Sequence, residues 1–267
     1  MNRSKLIEKI HQQNSFLCVG LDTDIDKIPV HLKTYDDPIF EFNRRIIDAT
    51  KEYCVAYKLN TAFYESLGAA GWQSMHKTFA YIGSSHFTIA DAKRGDIGNT
   101  CDMYAKAFFQ TMKVDSITLA PYMGKDSIDP FLKYNDKWSI ILGLTSNQSA
   151  ADFQYLEDKK GQPLYKHVIK TASKWGNDAN MMFVVGATKA EMLQEIREII
   201  PNHFLLVPGV GAQGGSLSDV VKFGKNEDIG LLINSSRGII YASDGLDFEE
   251  KAAVEAKKMA IEMASLL

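Results

Sequence analysis

Three ionisable side chains fall where apolar segments end: Lys58 in Tyr57-Lys58-Leu59-Asn60, and Asp91 and Lys93 in Ile89-Ala90-Asp91-Ala92-Lys93. Side chains alternate faces along a strand, so Lys58 shares a face with Asn60, and Asp91 with Lys93. The small Ala90 and Ala92 take the opposite face. An isolated charge inside an apolar strand costs several kcal/mol, so these groups must be paired or functional. An Asp-Lys pair at ~4 Å recovers about 4 kcal/mol at an effective dielectric of ~20, before desolvation is subtracted. An ammonium held in this way is preoriented charge of the kind that stabilises a developing anion. Asp96 follows in the loop, and Thr100 lies four residues on, one turn along the same helix face. Arg94 reads as a solvated charge at the turn from strand to helix.

A second cluster lies near the C-terminal end. Pro208-Gly209-Val210-Gly211-Ala212-Gln213-Gly214-Gly215 formally contains the G-x-G-x-x-G of dinucleotide sites. That motif requires an acidic residue at the end of the next strand, and here that end is Asn234-Ser235-Ser236, so a nicotinamide cofactor is not expected. A phosphate grip explains the same residues better. Glycines let backbone amides approach phosphate oxygens. Gln213 can donate its amide hydrogen, and Arg237, beside Gly238, can fork onto the anion. The loop from Pro208 to Gly215 is the natural lid. Asp22, after Gly20-Leu21, either reaches a sugar hydroxyl or caps a turn. Thr145-Ser146-Asn147 either contacts a heterocycle or forms a polar turn. The six histidines share no metal-ligand spacing and read as surface or cap residues, and the three tryptophans as packing.

Eight short apolar runs can position these groups: 16–21, 53–59, 86–92, 115–120, 138–144, 181–186, 203–207 and 228–234. Near-continuous apolar character fits parallel strands buried on both faces. Helical segments separate them. Asp37-Pro38 is a helix start, and Thr188 to Glu191 and Asp247 to Glu250 have capping-box spacing. An amphipathic tail runs from Glu249 to Leu267, and an extra helix from about Arg3 to Gln13 precedes the first strand. Alternating strands and helices mean a parallel sheet. Eight βαβ units at about 30 residues each occupy the whole chain. The expected fold class is therefore α/β, a (β/α)8 TIM barrel with an extra N-terminal helix, as one domain over residues 1–267. An open doubly wound sheet is the second choice. A barrel collects chemistry at the C-terminal ends of its strands, where the residues above lie.

Composition narrows the function classes. The 267 residues are 45% hydrophobic and 24% charged, with a formal net charge of -3, which excludes disordered and fibrous classes and carries no basic footprint for nucleic acid. No apolar run approaches the ~20 residues of a membrane span, and the first fifteen residues lack the apolar core of a signal peptide. Cys18, Cys54 and Cys101 have no disulfide or zinc spacing, which points to a reduced, cytoplasmic setting.

With Gly98-Asn99-Thr100 behind it, Asp91-Ala92-Lys93-Arg94-Gly95-Asp96 resembles the orotidine 5'-phosphate decarboxylase family. Gly20-Leu21-Asp22, Tyr57 to Asn60, Ala120 to Gly124, Pro208 to Gln213 and Ser236-Arg237-Gly238 extend the resemblance along nearly the whole chain. Thr145-Ser146-Asn147 is similar to a bacterial branch, which continues with proline where this chain has Gln148. The resemblance implies decarboxylation of orotidine 5'-phosphate to UMP in de novo pyrimidine synthesis, without cofactor or metal. It implies that Lys58, Asp91, Lys93 and Asp96 form an alternating charge network in which Lys93 protonates carbon 6 as carbon dioxide leaves. Asp91 would lie beside the substrate carboxylate. Asp22 and Lys58 would hold the ribose, with Asn60, Thr145, Ser146, Pro208 and Gly238 as further contacts, and Gln213 and Arg237 the phosphate. It also implies a homodimer in which Asp96 and Thr100 reach into the partner's site. Two other readings share the residues. One is a metal-dependent sugar-phosphate decarboxylase or aldol-type synthase with the same D-x-K-x-x-D element, and the other a non-catalytic phosphate-binding barrel.

Overall fold

Strands that are apolar on both faces leave no side for water, and a sheet closed on itself leaves no edge. The strands β1 (Leu17–Gly20), β2 (Ala56–Asn60), β3 (Phe87–Arg94) and β4 (Ser116–Leu119) pair in parallel in chain order. They continue through β5 (Trp138–Leu144), β6 (Met181–Val185), β7 (Phe204–Pro208) and β8 (Leu231–Ser235), which returns to β1. The computed structural model describes residues 1–186, 191–210 and 216–267. Helix α1 (Arg3–Gln13) precedes the barrel. Around it lie α2 (Pro38–Thr50), α3 (Thr61–Glu65), α4 (Gly68–Ile82), α5 (Gly98–Ala105) and α6 (Asp129–Leu132). The circuit is completed by α7 (Leu164–Ala172), α8 (Glu191–Ile199), α9 (Leu217–Gly224), α10 (Arg237–Ile240) and α11 (Phe248–Ala264). This is the expected (β/α)8 barrel with its extra first helix. No helix among the described residues is long and apolar enough to cross a membrane.

Several strands start later than the apolar runs suggest. Tyr53 to Val55 and Asp228 to Gly230 lead into β2 and β8 instead of belonging to them. Ile229 and Gly230 have φ of 68° and 62°, a left-handed turn that no strand accommodates. Helix starts divide in the same manner. Asp37 accepts a hydrogen bond from the Phe40 amide at 3.1 Å ahead of Pro38, as its type predicts. Asp247 instead takes the Ser243 hydroxyl at 2.6 Å, so no capping box forms at α11. Thr188 lies outside the described residues.

Bulky side chains plug the bottom of the barrel. Phe87, Trp138 and Phe204 open β3, β5 and β7, and their rings meet edge to face at 6.0 and 6.3 Å, one layer built from alternate strands. Helix α1 lies beneath. The Trp138 indole donates to the Met1 carbonyl at 2.9 Å. Arg3 stands 5.3 Å over the Phe204 ring and donates to the Asp178 and Asn202 carbonyls and the Asp228 carboxylate. With the base filled, the open end is the one where Lys58, Asp91 and Lys93 emerge.

Not all histidines are surface groups. His86 is buried, bridging the Ser85 hydroxyl and the Lys51 carbonyl, both at 2.9 Å. His203 packs its ring edge-on against Phe183. Burial pushes both down to about 4. An unfolded chain binds these protons near 6.5, so it holds more protons than the native state between pH 6.5 and 4, and stability falls as pH drops through that window. Urea unfolding should show a loss on the order of 2 kcal/mol per histidine between pH 7 and 5. His86→Gln should reduce that slope. The same slope in the variant would assign the acid sensitivity elsewhere.

Candidate active site

The β2 and β3 ends bring one lysine and one aspartate into a buried pair. Lys58 is 4% exposed, and its ammonium donates to Asp91 Oδ2 at 3.1 Å and to Asp22 Oδ1, from the end of β1, at 3.2 Å. Lys93 donates to the other oxygen of Asp91, Oδ1, at 2.7 Å. The result is a row Asp22–Lys58–Asp91–Lys93 with alternating sign. Burial alone would raise the Asp91 carboxyl, but the charges of Lys58 and then Lys93 outweigh it and hold the group at about 2. Burial alone would lower the Lys58 ammonium, but the charges of Asp91 and then Asp22 outweigh it, so Lys58 lies above the ordinary lysine value. Lys93 differs in its surroundings. Its side chain is 48% exposed, the reaching end of the row.

Simple alternation does not continue through Asp91 to Lys93. Ala90 pairs with Ile117 and Arg94 with Leu119, so three residues of β3 face Thr118 alone. Lys93 adopts φ of 49°, a left-handed conformation costing a lysine about 1–2 kcal/mol. A bulge of this kind re-aims a side chain next to a site.

Two adjoining cavities open over this row. One, about 370 Å³, is lined by Asp22, Lys58, Asn60, Asp91, Pro208, Arg237 and Gly238, with Asn234, Ser235 and Ser236 beside them. The other, about 280 Å³, holds Lys93, Thr145, Ser146 and Asn147 against the apolar Leu142, Val184 and Leu206. Lys58, Asp91, Pro208 and Asn234 belong to both. A ligand spanning them would place an anionic end near Arg237 and a reacting end beside Lys93. Arg237 is exposed and makes no ion pair among the described residues. Asn60 also caps α3, accepting from the Ala62 amide at 3.2 Å. The Thr145 hydroxyl donates to Asn147 at 2.6 Å and accepts from Gln154 at 2.7 Å. Gly186 lets this loop approach, since a Cβ there would stand 2.7 Å from the Ser146 nitrogen.

Other expected residues lie apart. Asp96 precedes α5 and is separated from its first turn by Ile97, so it does not share a helix face with Thr100. Its carboxylate accepts the Ile97 amide at 2.8 Å and meets no basic side chain within ion-pair distance among the described residues. Thr100 is exposed and lines neither cavity. Gln213, Gly211 and the rest of the proposed lid up to Gly215 lie outside the described residues. Arg94 is not a solvated charge. It pairs with Glu65 and sits 5.5 Å over the Tyr104 ring and 5.7 Å over Phe108. Asn234 and Ser236 escaped the sequence reading as site residues, although they flank Arg237. Asn234 is buried, donates to the Ser236 hydroxyl at 3.2 Å and has no partner for its side-chain oxygen among the described residues.

Known proteins resemble this chain in sequence and in fold. Residues 15–251 match the profile of the Orotidine 5'-phosphate decarboxylase / HUMPS family. The orotidine 5'-phosphate decarboxylase of Christiangramia forsetii is 59% identical, covering 100% of this chain and 99% of its own. That of Flavobacterium johnsoniae is 58% identical, covering 100% and 98%. Among solved structures, the OMP decarboxylase of Leishmania donovani superposes with a TM-score of 0.86 at 35% identity, over 100% of this chain and 98% of that one.

The array makes a stability prediction. Lys58→Met leaves the Asp22 and Asp91 carboxylates without their shared counter-ion, and should cost about 3–5 kcal/mol in urea unfolding at pH 7. Adding Asp91→Asn should recover part of the loss. A single variant as stable as the parent would show that the row is not insulated from solvent.

Proposed function

The chain belongs to the orotidine 5'-phosphate decarboxylase / HUMPS family, and from that premise we propose how its residues convert orotidine 5'-phosphate to UMP in pyrimidine biosynthesis. The observation that carries the reading is the charge row Asp22–Lys58–Asp91–Lys93, anchored on the buried Lys58 and joined to Arg237 through two adjoining cavities. Arg237, Gly238 and Gln213 hold the phosphate. Asp22, Lys58 and Asn60 hold the ribose, and Thr145 and Ser146 border the base.

At the reacting end the bond from carbon 6 to the carboxylate breaks. The electron pair stays on carbon 6, and the Lys93 ammonium gives it a proton as carbon dioxide departs. An ammonium already in place stabilises that carbanion without a solvent rearrangement. Leu142, Val184 and Leu206 keep the reacting end apolar, which strengthens the electrostatics. Asp91 stays ionised beside the substrate carboxylate and orients Lys93. Binding energy from the distant phosphate can be used to close the site. No metal is needed for this chemistry, and Asp91, the carboxylate a cation would seek, already has both oxygens engaged by ammonium groups.

The enzyme works as a homodimer with Asp96 and Thr100 completing the partner's site. The Asp96 carboxylate, which meets no basic side chain among the described residues, supports this, as does the apolar surface around it. Gly95 packs against Ala120 and Met123, and neighbouring Ile97, Met103 and Tyr122 are all exposed. The three buried, unpaired thiols fit a cytoplasmic setting.

Purified protein should bleach the ultraviolet absorbance of orotidine 5'-phosphate, equally well after exhaustive chelation. Absence of turnover would overturn the reading, and turnover lost on chelation would favour a metal-dependent relative. Lys93→Ala should lower kcat by about 10³-fold or more while UMP still binds. Equal amounts of Lys93→Ala and Asp96→Ala, each inactive, should regain about a quarter of wild-type activity on mixing, because half the dimers are mixed and each has one intact site. No recovery despite proven subunit exchange would refute the shared site.

A further inference from the structure

We propose that Thr118, on β4, is a positioning residue for the proton donor: its hydroxyl clasps the Asp91–Lys93 bulge and sets the direction in which the Lys93 ammonium points. The inference rests on the decarboxylase reading of this site and deepens it.

Thr118 is the one residue of β4 opposite three residues of β3. Three residues cannot all find partners on one, so the bulge leaves backbone groups to satisfy by other means. The Thr118 hydroxyl does so from both of its sides. It accepts the Lys93 backbone N–H at 2.9 Å and donates its own hydrogen to Asp91 Oδ1, also at 2.9 Å. Asp91 Oδ1 is the same oxygen that receives the Lys93 ammonium at 2.7 Å. A closed ring results: Lys93 amide to Thr118 hydroxyl, hydroxyl to Asp91 carboxylate, carboxylate to Lys93 ammonium. Both ends of Lys93 are thereby tied to one carboxylate oxygen.

Thr118 itself cannot wander. It is fully buried in β4, between Ile117 and Leu119 and paired with Ile140 of β5, and a β-branched side chain has few χ1 choices. The left-handed backbone at Lys93 is costly, and the hydrogen bond from its amide to the Thr118 hydroxyl helps to offset that cost. Asp91 also gains a donor that carries no charge. Lys58 holds Oδ2, and Thr118 fixes the rotation of the carboxylate about Oδ1, so Lys93 meets an oxygen at a set place. Proton delivery to carbon 6 depends on that place, since a displacement of ~1 Å can cost about 10²-fold in rate.

Thr118→Val keeps the shape and removes the hydroxyl, and Thr118→Ser keeps the hydroxyl. We expect Thr118→Val to lower kcat for orotidine 5'-phosphate by about 10–100-fold, with the affinity for UMP changed by less than about threefold. Thr118→Ser should restore most of kcat. Amide hydrogen exchange should show protection at Lys93 lost in Thr118→Val and retained in Thr118→Ser. A Thr118→Val enzyme with a lower Tm but wild-type kcat would make the residue merely structural and overturn the proposal, as would unchanged exchange at Lys93. Wild-type protein assayed in parallel separates the two layers. If it fails to turn over the substrate, the decarboxylase reading falls, and the exchange experiment still decides whether the clasp exists.

Discussion

A lysine ammonium with 4% exposure at the end of a barrel strand is tolerable only if opposite charge surrounds it. Lys58 therefore dictates much of what stands near it. Asp22 must come from β1 and Asp91 from β3, because these are the two strands that flank β2. Asp91, drawn to Lys58 through one oxygen, presents the other outward, and there Lys93 finds its partner. The order of charges follows from adjacency in the sheet. Residue order in the chain does not decide it, since Asp22 and Lys58 are far apart in sequence. A carboxylate held between two ammonium groups is also one that keeps its charge where a lone buried carboxyl would take up a proton.

Much of this could be read from residues alone, for identifiable reasons. The barrel was legible because each strand is an apolar run, and the last helix because the tail from Glu249 onward is amphipathic. Lys58, Asp91 and Lys93 stood out as charges inside apolar strands. What escaped depends on three-dimensional neighbours. Arg94 looks like a turn residue until Glu65, Tyr104 and Phe108, from other elements, surround it. His86 carries no local sign of burial, and the Asp247 cap is taken by a serine four residues earlier that spacing rules ignore. The alternation argument brought Asp91 and Lys93 together correctly, although the backbone between them does not alternate. The assumption failed at the bulge, and the Asp91–Lys93 ion pair survived because a flexible lysine can reach its partner from a left-handed backbone.

The bulge has a further meaning for how such a barrel can change. A closed ring of strands tolerates little freedom in register, because any offset between two neighbours must be absorbed around the circle. One residue inserted low in β3 would turn every later side chain of that strand to the other face. Above Ala90 the surplus is two residues, an even number, so Arg94 resumes pairing with Leu119 and the lower strands keep their order. A second irregularity, between Leu142 and Leu144 of β5, also sits at the upper rim. Length variation is thus admitted at the rim and denied at the base. The barrel behaves as a frame of fixed gauge whose upper border can be re-cut, and new chemistry can be installed there without renegotiating the packing of Phe87, Trp138 and Phe204 below.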